Sequence, residues 1–226
     1  VQTLADRVSR YGTTLYHGEK PMWVSAPLTV HRRCDDPMFR LCNEIAYGSM
    51  MVSGVQRRLD DPEHPDLFDG PREQKVSPSR WIDVPARTPG THLQDNQIEE
   101  LRKQIDQLQA QGVAMSQIIA ISPFRVVANA LGTLKGRYPG LRGGTIHTAQ
   151  GREADVVFLV LGGDPGAPGA KAWASSTVNL VNVAASRAKR RLYVIGDRAA
   201  WAQYPYFADL ASALAPEPQQ AVDTVG

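Results

Sequence analysis

Six successive apolar residues, Val156-Val157-Phe158-Leu159-Val160-Leu161, constrain this chain more than any other segment. The run is far too short to cross a bilayer and lacks the polar alternation of a strand with one wet face. A continuous apolar strand is what a parallel sheet covered by helices on both sides requires. Ile118 to Ile121 and Leu192 to Ile195 repeat the pattern in shorter form, and Trp81-Ile82-Asp83-Val84 and Thr145 to Thr148 read as further strands. Helical spacing fills the intervals. Asp95 opens a helix with Ile98, Leu101, Ile105 and Leu108 on one face, Glu99 and Lys103 as a supporting pair, and Gly112 as its stop. Ser122-Pro123 reads as a cap followed by proline, with Val127, Leu131 and Leu134 on the helix behind it. Two more helices are expected, from about Thr177 to Lys189 and from about Arg198 to Leu214. Strands alternating with helices imply an α/β fold, a doubly wound and mainly parallel sheet.

The pattern predicts one domain over 1–214 and a frayed tail over 215–226. Val1 to Arg10 has the spacing of a short amphipathic helix, and Leu28-Thr29-Val30 that of a strand end. Asp35-Asp36-Pro37 is a helix-start signal, followed at helical intervals by Met38, Leu41, Cys42 and Ile45 and closed by Tyr47-Gly48. Residues 53–79 are polar and broken by Pro62, Pro65, Pro71 and Pro78, the mark of a long loop or insertion. Gly162 to Gly169 reads as a loop. The chain starts at Val1 rather than at a methionine, as expected of a segment of something longer.

A net charge of +2 gives no global field for polyanions, so nucleic-acid contacts must come from local clusters such as Arg32-Arg33, Arg57-Arg58 and Lys189-Arg190-Arg191. Cys34 and Cys42 would lie about 12 Å apart along a helix, too far to bridge, which points to reduced thiols and an intracellular, cytoplasmic setting. His31, Cys34 and Asp35 match no common zinc spacing, so no metal site is expected. No apolar run approaches the length of a spanning helix, and no membrane partner is expected. Trp23, Trp81, Trp173 and Trp201 are candidate stacking platforms.

The polar segments beside the strands carry the chemistry. Gly144-Thr145-Ile146-His147-Thr148-Ala149-Gln150-Gly151-Arg152-Glu153-Ala154-Asp155 runs into the apolar strand, and Asn182-Val183-Ala184-Ala185-Ser186-Arg187-Ala188-Lys189 runs into the next. No G-x-x-x-x-G-K-[ST] loop occurs, so the chain does not cradle a triphosphate in the P-loop manner by itself. Ligands of open α/β sheets gather beyond the carboxyl ends of the strands. That rule places Ser122, the surroundings of Arg187 and the Gln150–Glu153 turn on functional edges.

Four of these segments carry a resemblance. Val30-His31-Arg32-Arg33-Cys34-Asp35 resembles helicase motif IV, and Ile121-Ser122-Pro123-Phe124 resembles motif IVa. Thr145 through Asp155 resembles motif V, and Asn182 through Lys189 resembles motif VI. In this order they resemble the second RecA-like motor domain of superfamily 1 helicases, P-loop NTPases of the AAA type, in the branch of the nonsense-mediated-decay helicase. The resemblance implies that Arg187 is an arginine finger and Arg33 a second γ-phosphate ligand. It implies that Gln150, Gly151 and Glu153 line the nucleotide, Glu153 accepting from a ribose hydroxyl, and that Arg32 stands where relatives stack an aromatic on adenine. It assigns Ser122, Pro123, Thr145, His147 and Thr148 to the sugar–phosphate backbone of single-stranded DNA or RNA. His147 stands where some relatives have Asp, and Ala149 where many have Phe, so no base-stacking role passes to Ala149.

The implied whole is an ATP-dependent helicase or translocase, moving 5′ to 3′ by its branch. ATP with Mg2+ would be held mainly by an N-terminal RecA-like domain of the same protein, which supplies Walker A, Walker B and the water-polarising base. The fragment alone is then expected to hydrolyse nothing. The competing reading is a non-catalytic RecA-like module for nucleic-acid or protein contact.

Overall fold

The computed structural model describes residues 12–17, 20–25, 29–57, 66–69, 76–148 and 151–215. The expected helix over Val1 to Arg10 and most of the tail lie outside them. Two strands not foreseen from the sequence come first, β1 (Gly12–His17) and β2 (Lys20–Ser25), antiparallel with Gly12 opposite Ser25. The two-residue strand β3 (Val30–His31) leads to helix α1 (Met38–Tyr47) and to β4 (Val52–Ser53), which pairs in parallel with β3. Asp36 accepts the Arg40 N–H at 3.2 Å, and Gly48 ends α1 in the left-handed conformation expected of a helix stop.

The main body follows: β5 (Arg80–Asp83), α2 (Asp95–Ala110), β6 (Ile118–Ser122), α3 (Arg125–Thr133), β7 (Arg142–Thr145) and β8 (Ala154–Val160). Helices α4 (Pro168–Ala174) and α5 (Asn179–Ala185), strand β9 (Ala188–Gly196), and helices α6 (Arg198–Trp201) and α7 (Phe207–Ala213) complete it. Five strands form one parallel sheet in the order β5-β9-β8-β6-β7. The step from β6 to β7 runs one way across this sheet and the step from β8 to β9 runs the other. Right-handed crossovers therefore put α2 and α3 on one face and α5 on the opposite one, where α1 packs against both α5 and α7. The doubly wound, mainly parallel α/β sheet expected from the sequence is the observed one.

Burial explains the central strands. Every residue of β6 is buried, as are Val156 to Val160 of β8 and Arg190 to Gly196 of β9. Ile98, Leu101, Ile105 and Leu108 of α2 cover one face, each burial contributing roughly 1.5–3 kcal/mol. Trp201 is fully buried against Phe207, ring centroids 4.6 Å apart, and its indole N–H donates to the Gly162 carbonyl. Trp81 likewise donates to Gly196 O at 2.9 Å, so these two tryptophans pack, while Trp23 and Trp173 are exposed.

Several elements depart from the sequence expectation. The edge strand is Arg142–Thr145, and the residues after Thr145 form a turn. Gly143 has no room for a side chain: a Cβ there would stand 2.6 Å from the Leu131 carbonyl of α3, so close helix packing makes a strand of a weak strand former. Helix α4 begins at the end of the expected Gly162–Gly169 loop, with Pro168 in its first turn, and runs on through residues given no element from the sequence. The expected helix from Thr177 to Lys189 stops at Ala185, and Lys189 already belongs to β9. The last helix is broken in two around Pro205 and Tyr206, since proline withholds a donor and pushes its predecessor out of helical geometry. On α2, Lys103 pairs with Glu100 at 3.6 Å instead of Glu99.

Strand β9 carries one extra residue against β8: Ala154 faces Ala188, but Val156 faces Arg191. This bulge sits where Arg190 and Arg191 both turn toward the segment 66–69. Phe68 and Val76 are buried in the core, so the polar stretch 53–79 is tied to the body at these points.

Candidate functional site

The motif residues divide between the two ends of the parallel sheet. Ser122 and Thr145 end β6 and β7 at the carboxyl edge, whereas Glu153 precedes β8 and Arg187 precedes β9 at the amino edge. A five-residue strand is about 16 Å long, so the two groups are separated by roughly that distance. The carboxyl-edge expectation therefore holds for Ser122 and is corrected for Arg187 and the turn before β8. Thr145 stands at one edge and Glu153 at the other; Gln150, between them in the sequence, lies outside the described residues.

At the amino edge, three segments meet. Asp35 N–H donates to Lys189 O at 2.9 Å and Ala154 N–H to Arg187 O at 3.1 Å, which joins the β3–α1 connection, the start of β8 and the start of β9. Arg187 sits just past α5, in the turn rather than on the helix. Its guanidinium donates to the carbonyls of Val183 and Arg152, both at 3.3 Å, and to Ser186 Oγ at 3.4 Å. No carboxylate lies within 4 Å of it among the described residues. Burial lowers its pKa first, and the like charge of Arg33 lowers it further.

Arg33 pairs with Glu153 at 2.6 Å, both side chains about two-fifths exposed (41% and 42%), and donates to Ser186 O. An exposed pair of this kind contributes at most about 1 kcal/mol and can be exchanged for another anion. Glu153 is also 3.8 Å from Lys189, so the carboxylate expected to meet a ribose is engaged by two cations. Arg142, unmarked by the sequence reading, donates to Glu153 O from the start of β7. Gly151 is exposed with φ +83, and Arg32 is exposed.

His31, Cys34 and Cys42 are structural. His31 Nε2 accepts the Cys34 N–H at 2.8 Å, and burial, then Arg33, lowers its pKa. Both thiols are free, are pushed up to about 12 by burial, and point at the last carbonyls of α5. Among the described residues no group of three or more His, Cys, Asp or Glu is placed to hold a metal ion.

Of the basic clusters, Arg190 and Arg191 face inward. Arg190 is bidentate with Asp66 at 2.6 and 2.9 Å and reaches Asp69 at 3.0 Å; Arg191 reaches Asp69 at 2.7 Å and Phe68 O. They are 7% and 4% exposed, which removes them as surface contacts for nucleic acid. Burial works against ionised Asp66 and Asp69, yet the arginine hydrogen bonds hold both below the ordinary carboxylate range. Arg57 is half-buried and bonded to Asp35 at 3.0 Å, and Arg58 lies outside the described residues.

At the carboxyl edge, Ser122 is fully buried and its Oγ accepts the Phe124 N–H at 3.2 Å. That hydroxyl orders the entry to α3 and does not face solvent, a correction to its expected strand-contacting role. Pro123 is half-buried beside it. Thr145 and Thr148 close a small turn: Thr148 N–H donates to Thr145 Oγ1 at 3.2 Å and Thr148 Oγ1 to Thr145 O at 2.9 Å. His147 and Thr148 are exposed and Thr145 is half-buried.

Comparison with known proteins settles the family. The model of a family described as "AAA domain" matches residues 13–199. The chain belongs to the AAA domain family. It is thus an ATPase-like domain, and membership is consistent with a capacity to bind ATP. This AAA domain has no match among curated proteins. Among solved structures it is similar to the crystal structure of PRRSV nsp10 (helicase), at 12% identity and a TM-score of 0.32, over 74% of this chain and 23% of that one. No helix among the described residues of the AAA domain is long and apolar enough to cross a membrane.

Proposed function

We propose that this AAA domain is the second motor lobe of an ATP-dependent helicase or translocase on single-stranded DNA or RNA. One observation carries the reading: Arg33 and Arg187 reach the same edge from distant segments, close enough to repel, with Glu153 as the carboxylate beside them. Such a cluster suits the terminal phosphate of a nucleotide presented by an N-terminal lobe that contributes the phosphate loop and Mg2+. Bound ATP supplies the phosphoanhydride whose hydrolysis drives the cycle. Arg187 and Arg33 would lie against its γ-phosphate, where guanidinium groups stabilise developing negative charge. Gly151 allows close approach of a ligand, and Arg32 offers a plane for a base. Thr145, His147 and Thr148 would meet the sugar–phosphate backbone, which carries no sequence information.

The experiment is ATP turnover by the full-length protein, with and without single-stranded polynucleotide. Arg187→Ala is expected to lower strand-stimulated kcat by about 10³-fold or more. Turnover within twofold of the wild type would overturn the reading. The 2.6 Å pair between Arg33 and Glu153 favours a second reading, a non-catalytic binding module in which that edge is self-satisfied. Polynucleotide binding without any strand-dependent turnover by the full-length protein would establish it.

A further inference from the structure

Arg57 stands outside every motif that the resemblance covers, yet its guanidinium touches both segments that bear the candidate fingers. Its Nη2 donates to Arg33 O at 2.7 Å and to Lys189 O at 3.3 Å, and its Nε donates to Asp35 Oδ1 at 3.0 Å. Lys189 follows Arg187 by two residues at the start of β9, and its carbonyl also accepts the Asp35 N–H. The second oxygen of Asp35 lies 2.8 Å from Arg190 Nε, an ionic contact without hydrogen-bond angles. One planar fork thus spans the two backbones that must hold Arg33 and Arg187 at a fixed separation despite their mutual repulsion.

We propose that Arg57 is a positioning residue that sets the spacing of Arg33 and Arg187 through the carbonyls of Arg33 and Lys189; this rests on the motor-lobe reading above. It assigns a role to the start of the 53–79 segment: this segment clamps the finger-bearing edge. The chemistry is specific to arginine. A lysine ammonium keeps the charge but is a single point on a flexible stem, and it cannot span a carboxylate and two carbonyls in one plane. With the clamp gone, the Arg33 backbone and the β9 start remain covalently intact but lose their common donor. Misplacement of charged groups by about 1 Å costs up to roughly 100-fold in rate where positioning matters.

The test is a double-mutant cycle in the full-length protein, reading strand-stimulated ATP turnover for wild type, Arg57→Lys, Arg187→Ala and the pair. Arg57→Lys is expected to lower kcat by about 10- to 100-fold while KM for ATP and polynucleotide affinity stay within about twofold. In the Arg187→Ala background the same change should cost several-fold less, because the Arg33–Arg187 spacing that Arg57 sets no longer exists and only the placement of Arg33 remains to be lost. An equal loss in both backgrounds, or no loss with Arg187 intact, overturns the inference and leaves the motor-lobe reading standing. Wild-type turnover in Arg187→Ala defeats the motor-lobe reading itself, and this inference falls with it. Should Arg57→Lys melt below the assay temperature, the cycle is run with Arg57→Gln, to which the same outcomes apply.

Discussion

The two edges of the sheet are built by different means. At the carboxyl edge, hydroxyls bond to groups two or three residues away: Ser122 to Phe124, Thr145 to Thr148. At the amino edge, the decisive partners are far apart in the chain: Arg33 with Glu153, Arg57 with Lys189, Arg190 with Asp66. Local bonds shape a turn whatever the rest of the fold does. Long-range charged bonds exist only once the sheet is assembled, so the amino edge reports on the integrity of the whole domain. A site that must present like charges at a set distance gains from the second arrangement.

Three measurements sharpen or break this contrast, beginning with the largest effect. Arg190→Ala leaves Asp66, Asp69 and Asp35 facing one another without their shared cation. Removing one partner of a buried pair costs about 3–5 kcal/mol, read as a lower urea midpoint. A loss under about 1 kcal/mol would show that the long-range network is not what holds this edge.

Acid should weaken the same edge next. Asp66 and Asp69 have folded pKa values below their ordinary range, so their contribution is complete above about pH 4 and is lost as pH falls through the folded values. Asp35 works the other way, since burial raises its pKa despite Arg57 and Arg190, and its share grows as pH falls. The share of the melting temperature that Asp66 and Asp69 supply should therefore drop away below about pH 4. The drop should be shallower in Asp66→Asn, and an equal slope in both proteins would remove Asp66 from the account.

Thr148→Ala marks the small end. It deletes two local hydrogen bonds in an exposed turn, where water takes over the lost partners, so each is worth at most about 0.5 kcal/mol. Stability should change by under about 1 kcal/mol, while affinity for single strands weakens to a similar degree whatever their sequence. A strong sequence preference in that loss would argue against a backbone contact.

The same contrast explains what was legible in the sequence. The apolar strands around Ile121, Leu159 and Val194 announced themselves, because burial on both faces writes an unbroken apolar run. Strand β7 did not, since Gly143 is there for the closeness of Leu131, a fact of packing rather than propensity. Helix α4 had a readable signal in Pro168, overlooked among the glycines of its loop. The motif segments located Arg33, Glu153 and Arg187, but not the edge on which they lie. Arg57 was marked only as half of a basic pair with Arg58 for nucleic-acid contact, not for its internal bonds, and Asp66 and Asp69 are more than 120 residues from the arginines they hold. Phe68, an aromatic within a proline-broken polar stretch, was the hint that this stretch is anchored.

The extra residue in β9 has a consequence of its own. Strand side chains alternate, so a one-residue slip normally exchanges inside for outside along the full length. Here the slip is confined to the first turn of the ladder, and Leu192 to Ile195 stay in phase with Val157 to Val160. The rim can therefore change which way its charges point while the interior keeps its registration, and insertions at Lys189–Arg190 should be better tolerated than insertions three residues later.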